Sequence, residues 1–380
     1  MKKKSKIRIG VIFGGRSGEH EVSLMSARSI LSALDPDTYI VTQIGITHDG
    51  DWLVGENVLG AMIEGDYRNL NPVVLMPIPT RKELYTINIT GQREILQRYT
   101  NLDVIFPVLH GTFGEDGTLQ GLLELTDIAY VGAGVLGSSL GMDKGVFKDV
   151  MRANGVPVLD SIVVSKREIE EDADSIIGQA EALATYPLFV KPANMGSSIG
   201  ITKCKSRSDL FEGLLEAARY DRRVLIERGV NAREIEVSVL GNEEPRASVP
   251  GEIIPNREFY SYEAKYIDDN SNLIIPAPIP PELAQWVQQL AVQAYHAVDC
   301  AGMARVDFLL EKNESQRGEP GEVYVNEINT IPGFTKISMY PKLWEESGLP
   351  YPALVDRLVE LALERKAECN RIERRYRSEG

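Results

Sequence analysis

The sequence predicts a mixed fold of α/β and α+β units laid out as successive parts of one chain, and three observations lead there. The opening "KIRIGVIFGG" is a β-branched strand ending in a glycine pair, and "EVSLMSARSILSALD" follows with apolar residues at helical spacing, which is the strand, turn and helix start of an α/β sheet. At "MDKGVFKDVMRANGVPV" the texture changes to short strands separated by charged helices. The chain has 380 residues, whereas a single core seldom grows beyond roughly 250 to 300, so two or three domains are expected.

The elements follow in order. "YIVTQIGIT" and "LDVIFPVL" read as further buried strands and carry the α/β sheet to about residue 140. The stretch 49–100 between them reads as an elaborated insertion within this first domain. Next come a helix stopped by Gly155 and Pro157, a short strand, a long acidic helix near 167–184, and "YPLFVKPANMGSSIGITKC". The last reads as two strands joined by a glycine-rich loop, with Lys191 at a strand end. "RVLIERGV" and "REIEVSVLG" add two strands to this compact module, which closes near 250. After that stand more strands, the polar excursion "NREFYSYEAKYIDDNSN", the helix "PELAQWVQQLAVQAYHAV", the strands "GMARVDFLL" and "EVYVNEIN", and the final helix "PALVDRLVELALERKAECNRIERRY".

Composition narrows the partners. With 43% hydrophobic and 25% charged residues the chain is an ordinary folded protein, and its net charge of -14 repels nucleic acid and anionic membranes. Small polar substrates fit better, and an anionic one needs a local cluster of cations. The basic N-terminus lacks the apolar core of a signal peptide, and no apolar run is long enough to span a bilayer, so a cytoplasmic protein is expected. Cys204, Cys300 and Cys369 are odd in number and widely spaced, which argues against a disulfide framework or a cysteine zinc site.

Several residues sit where chemistry can gather. Lys191 precedes Gly196, Ser197 and Ser198, the reverse of P-loop order, yet ammonium groups at Lys144 and Lys191 beside exposed backbone N–H groups suit phosphate. Either lysine alone would read as a solvated surface charge. Gly132, Gly134 and Gly137 match a dinucleotide fingerprint, but "SSLGMDKGVFKDVM" carries another glycine and two lysines where an apolar helix should pack, so a glycine-rich domain connection is the better reading. Arg305 and Asp307 stand two apart on one strand, and Glu327 and Asn329 two apart on another, so each pair shares a face. Their oxygens suit Mg²⁺ completed by nucleotide phosphates; the alternative is a structural salt bridge between Arg305 and one acid. Four histidines and no His–Cys cluster favour magnesium over zinc. His110 follows a buried-type strand and precedes two glycine turns, so it is either a structural histidine or a side chain facing a cleft at the carboxyl edge of a sheet. Glu19, in the first glycine turn, is either a helix N-terminal charge or a carboxylate set to receive an ammonium group.

Seven stretches, "GGRSGEHEVS", "LHGTFGEDGTLQG", "GMDK", "FVKPANMGSSIG", "YEAKY", "ARVDF" and "NEINTIPGFT", stand in the order and approximate spacing of the D-alanine:D-alanine ligases of the ATP-grasp superfamily. The resemblance runs from about residue 8 to about 365. It implies a three-domain ATP-grasp fold: an N-terminal parallel-sheet (pre-ATP-grasp) domain at 1–140, a central subdomain with the glycine loop at 141–250, and a C-terminal subdomain at 251–380 with a lid loop at 256–275 and the metal ligands. It implies ATP-dependent joining of two D-alanine molecules through a D-alanyl phosphate, for peptidoglycan precursors, with D-lactate or D-serine as alternative second substrates; the presence of Tyr266 favours D-alanine.

Carried over residue by residue, Lys144 and Lys191 resemble the phosphate lysines, with Ser198 and Lys265 as further ATP contacts. Glu227, Arg228, Val230 and Glu234 resemble the adenine and ribose site. Asp307, Glu327 and Asn329 resemble the ligands of two Mg²⁺ ions, with Mn²⁺ as a substitute. Glu19 matches the acceptor of the first ammonium, and His110 a cleft residue near it. Ser197 and Tyr266 match the link between glycine loop and lid, Arg305 and the Gly333 backbone the oxyanion donors, and Ser338 and Met339 the cradle of the second carboxylate. The resemblance also implies a homodimer. The chain departs from the common pattern at Met195, where a charged residue is frequent, and at Arg228, where a lysine is frequent.

Overall fold

The computed structural model describes residues 5–254, 272–312 and 320–373. Lys265, Tyr266 and most of the expected lid loop lie outside the described residues.

The first sheet has eight strands. β1 (Ile7–Gly14) leads through α1 (His20–Ala33) into β2 (Tyr39–Ile46), which is parallel to it. The chain then adds β3 (Trp52–Val54), α2 (Val58–Glu64), β4 (Asn71–Leu75), β5 (Glu83–Thr90) and β6 (Arg93–Asn101). These strands pair antiparallel, one after another, onto β2. The stretch 49–100 is therefore an antiparallel wing of the same sheet, ending in a tight hairpin whose Gly91 has φ +64°. β7 (Val104–Val108) returns to the other side of β1, and α3 (Thr118–Thr126) leads to the short β8 (Ala129–Tyr130), both strands parallel to their neighbours. β7 is buried throughout, as a parallel strand covered on both faces must be, whereas β6 at the wing's edge is mostly exposed.

The glycine-rich stretch after β8 is a connection. Gly132 has φ +96° and packs against Gly302, and a side chain at Gly137 would collide with the Asp299 carbonyl. α4 (Val135–Met142) is followed directly by α5 (Lys144–Ala153), so no strand returns to the first sheet and the dinucleotide reading has no βαβ unit.

The central sheet is antiparallel: β9 (Ser161–Ser165), β10 (Leu188–Pro192), β11 (Thr202–Cys204) and β12 (Arg223–Arg228), in the order β11-β10-β12-β9. α6 (Lys166–Leu183), begun by a Ser165–Glu168 capping box, and α7 (Arg207–Tyr220) cover one face with an apolar core. The other face opens to the cleft described below.

The third sheet contains β13 (Ala232–Gly241), β14 (Arg246–Ala247), β15 (Gly251–Ile254) and β16 (Asn272–Ile274), then, after α8 (Pro281–Ala297), β17 (Gly302–Lys312) and β18 (Pro320–Asn329). The strand "REIEVSVLG", read from sequence as part of the central module, belongs here. It runs antiparallel to β17 from Ala232 opposite Glu311 to Gly241 opposite Gly302, and that long-range ladder outweighs its closeness in sequence to β12. α9 (Met339–Glu346) and α10 (Tyr351–Cys369) close the described chain, and α10 returns to the first sheet: Leu354, Val355 and Leu358 share a core with Ile9, Val11 and Phe13.

Candidate active site

A cleft of about 510 Å³ is lined by residues of the second and third sheets, by the loops that follow β1 and β7, and by the α4–α5 junction. One wall is cationic. Asp143 caps α5 by accepting the N–H groups of Gly145 and Val146, and it pairs with Arg223, so Lys144 starts the helix at a fixed point. The Lys144 ammonium donates to the Met195 carbonyl at 2.8 Å and lies 3.7 Å from Glu327. Period-two alternation on β10 turns Phe189 and Lys191 to the cleft while Leu188 and Val190 enter the core. Lys191 donates to Glu227 at 2.7 Å, and Lys148, one turn after Lys144, places its ammonium 2.5 Å from the other Glu227 oxygen. Burial alone would raise the Glu227 carboxyl, but the two lysines outweigh it and hold it down to about 2.

Between β10 and β11 the glycine loop folds over the cleft. Ser197 and Ser198 have φ +50° and +60°, a conformation that non-glycine residues adopt at a cost of about 1–3 kcal/mol when surroundings enforce it. Here the Ser197 hydroxyl donates to Glu19, joining the central sheet to the first. Gly111 and Gly196 both press on the Glu19 carboxylate, and a side chain at either would collide with it.

The opposite wall is acidic. Cross-strand register puts Glu236, Asp307 and Glu327 in one row over β13, β17 and β18, with Ser238, Arg305 and Asn329 in the next. A bulge between Asp307 and Phe308 keeps Glu327 and Asn329 on this face. Arg305 grips Asp307 through two bonds of 2.7 Å, lies 3.0 Å from Glu236, and Asn329 donates to Asp307 at 3.0 Å. The salt bridge weighed from sequence as the structural alternative is thus present.

Among the described residues no three His, Cys, Asp or Glu side chains cluster as a ready-made metal cage. The donor set of Asp307, Glu327 and the Asn329 amide nevertheless fits Mg²⁺, which uses one or two carboxylates and takes its remaining oxygens from phosphates and water.

At the far end His110 is buried, and burial lowers its pKa against the pull of Glu19, keeping the ring neutral. Its Nδ1–H donates to the Ile331 carbonyl at 2.8 Å, and its Nε2 accepts from Ser26 at 3.0 Å. Ser26 in turn accepts the Phe334 N–H at 3.2 Å. Glu115 accepts the N–H groups of Gly111 at 2.9 Å and Ile331 at 2.8 Å; burial, with Glu19 nearby, pushes its carboxyl up to about 8. The segment 331–334 is therefore anchored at both ends, and Gly333 between the anchors lines the cleft.

The cleft gathers Glu19 and His110 from loops beside the first sheet, Lys144 from α5, Lys191 from β10, and Ser197 and Ser198 from the glycine loop, together with Glu227, Arg228, Val230 and Glu234. Arg305, Asp307, Glu327, Asn329 and Gly333 complete it. Ser338 and Met339 do not line it: the Ser338 hydroxyl is engaged with Thr335, and the Met339 side chain is buried beside Ile253 and Leu343. Sequence reasoning missed Lys148, Glu115, Glu236 and Ser26. The i, i+4 spacing of Lys144 and Lys148, and the alternation of Glu234 and Glu236 with Ile235 and Val237, are the signals that point to two of them.

Two family models match the chain: D-ala D-ala ligase N-terminus over residues 8–133 and D-ala D-ala ligase C-terminus over residues 150–360. A D-alanine–D-alanine ligase of Natranaerobius thermophilus is 50% identical over 368 residues, covering 96% of this chain and 97% of that protein. The one of Heliobacterium modesticaldum is 49% identical over 366 residues, covering 96% and 97%. Among solved structures, the D-alanine-D-alanine ligase from Coxiella burnetii superposes with TM-score 0.79 at 37% identity, covering 97% of each chain. The VanG D-Ala:D-Ser ligase from Enterococcus faecalis superposes with TM-score 0.81 at 34% identity, covering 94% of this chain and 100% of that one.

Proposed function

The chain belongs to the D-alanine–D-alanine ligase family, and from that premise we propose that it joins two D-alanine molecules into D-alanyl-D-alanine at the expense of ATP, supplying peptidoglycan synthesis. The observation that carries this reading is the meeting of the Lys144 and Lys191 ammonium groups with the Asp307 and Glu327 carboxylates in one cleft. Relatives near 50% identity carry the D-alanine name, so a D-serine or D-lactate ligase is not favoured, although VanG shares the fold.

A carboxylate is a poor electrophile. One carboxylate oxygen of the first D-alanine attacks the γ-phosphorus of ATP, the bond to the β-phosphate oxygen breaks, and ADP leaves. Lys144 and Lys191 hold the phosphates during this step, while backbone groups around Arg228 and Val230 read the adenine and Glu234 the ribose. Both Glu227 oxygens face lysines, so its part in the nucleotide site is indirect. Asp307, Glu327 and Asn329 would hold Mg²⁺, which supplies charge neutralisation at the transferring phosphoryl group when bound.

Glu19 receives the ammonium of the first D-alanine. The amine of the second then attacks the D-alanyl phosphate carbonyl, phosphate departs, and the amine loses a proton. The tetrahedral oxyanion on the way is met by Arg305, which Asp307 and Glu236 hold, and by the Gly333 N–H, whose segment the His110 and Glu115 anchors fix. In this reading the second carboxylate is received at the N-terminal turn of α9, where the Met339 N–H is the donor; the Ser338 N–H already donates to the Thr335 carbonyl at 3.0 Å. Lys265 and Tyr266 belong to the lid in this reading, and Tyr266 completes its link to Ser197.

We also propose a cytoplasmic homodimer; no helix among the described residues is long and apolar enough to cross a membrane. The deciding experiment incubates the protein with ATP, Mg²⁺ and D-alanine and measures dipeptide, ADP and phosphate, which should appear in equal amounts. Lys191→Ala should abolish all three. ADP release without dipeptide would reject the reading.

A further inference from the structure

Lys148 stands apart from the machinery above. It is only 1% exposed, lies outside the cleft lining, and pairs with Glu227, whose side chain is 2% exposed. We propose that Lys148 is a positioning residue that holds the charge of Glu227 so that Lys191 can turn from Glu227 to a phosphate of ATP; this rests on the reading that Lys191 meets those phosphates.

The argument is one of charge counting in a dry place. Glu227 on β12 lies opposite Phe189 on β10, two residues from Lys191, so Lys191 reaches it diagonally across the ladder. Each Glu227 oxygen faces one ammonium: Lys191 at 2.7 Å on the cleft side and Lys148 at 2.5 Å behind. Both contacts are short ion pairs in a place closed to water. Two cations on one carboxylate leave one positive charge in excess.

A buried carboxylate stripped of its only counter-ion is strongly disfavoured. With a single lysine, Glu227 would therefore detain Lys191. With Lys148 fixed behind it by α5, Glu227 stays neutralised when Lys191 departs, and the surplus charge is available to the nucleotide. The side chains differ in reach accordingly: Lys191 borders the cleft, 6.0 Å from the Phe189 ring, while Lys148 is enclosed and has no path to the ligand.

The test measures ATP and adenosine binding by calorimetry for the full-length protein and the variants Lys148→Met, Lys191→Met and Lys148→Met/Glu227→Gln. Lys148→Met should weaken ATP at least about tenfold, because binding would then strand a buried carboxylate, and leave adenosine within about twofold. In kinetics KM for ATP should rise while KM for D-alanine holds. Adding Glu227→Gln removes the charge that detains Lys191 and should recover most of the ATP affinity. The proposal is overturned if ATP binding is unchanged by Lys148→Met, if ATP and adenosine weaken together, or if the double variant binds no better than the single. Should Lys148→Met fail to fold, the double variant, which buries no unpaired charge there, carries the test alone: ATP affinity close to the parent supports the proposal, and a loss of about tenfold or more overturns it. If Lys191→Met leaves the ATP-to-adenosine ratio unchanged, the phosphate role of Lys191 itself fails; if that ratio falls but Lys148→Met has no effect, only the role of Lys148 fails.

Discussion

The two walls of the cleft carry charge by different constructions. On the central-sheet wall the cations come from separate elements, Lys144 from the start of α5 and Lys191 from β10, each on a long stem resting on a carbonyl or an acid. On the wall formed by β13, β17 and β18 the acids come from adjacent strands in fixed register, held in a row by the ladder and by Arg305. The first arrangement can re-partner when an anion enters, because a lysine exchanges contacts by rotating its stem. The second cannot move without breaking backbone pairing, so it serves as a template. The cleft thus sets a mobile positive side against a rigid negative one.

This contrast is most sharply tested at Arg305, a cation built into the acidic wall. Arg305→Met removes a proposed oxyanion donor and should lower kcat for dipeptide formation on the order of 100- to 1000-fold. It also leaves Glu236 and Asp307 without their shared counter-ion, so the melting temperature should drop as well. A lower melting temperature with unchanged kcat would make Arg305 purely structural. A smaller effect is expected at Glu327, where Glu327→Gln should raise the Mg²⁺ concentration needed for half-maximal rate by roughly 10- to 100-fold. An unaltered Mg²⁺ titration would remove Glu327 from the template.

The smallest effect concerns stability against pH. Burial lifts the Glu115 carboxyl from 4.5 to about 8, so between those values the folded protein keeps a proton that the unfolded chain has lost. Stability from this group is therefore present at low pH, falls as pH rises through that window, and levels off above it. Glu115→Gln lacks the dependence: its melting temperature relative to the parent should climb from about pH 5 to about pH 8 and then stay flat. A difference that does not vary with pH would mean that the two backbone N–H bonds keep Glu115 ionised throughout.

Much of the fold and site can be read from local pattern. The β1–α1 start, the glycine loop between two strands and the paired faces of Arg305 with Asp307 and Glu327 with Asn329 follow from alternation and turn residues, and the structure has them. What escapes the sequence depends on distant pairing. β13 lies next to β12 in the chain but joins β17 in another sheet, and the wing from β3 to β6 is an extension of the first sheet that no short window reveals. Glu115 and Lys148 were missed for the same reason. A glutamate in a glycine-rich loop and a lysine on a helix look solvent-facing until other elements pack around them, partly at Glu115 and fully at Lys148.

The return of α10 to β1 has a consequence for biosynthesis. Ile9, Val11 and Phe13 leave the ribosome long before the helix that shields them is made. At the usual elongation rate of roughly 5–20 residues per second, an oily patch on the earliest sheet waits many seconds for its lid of leucines and valines. Nascent chains of this protein should therefore engage holding chaperones until α10 has been made, and only then commit to their final shape.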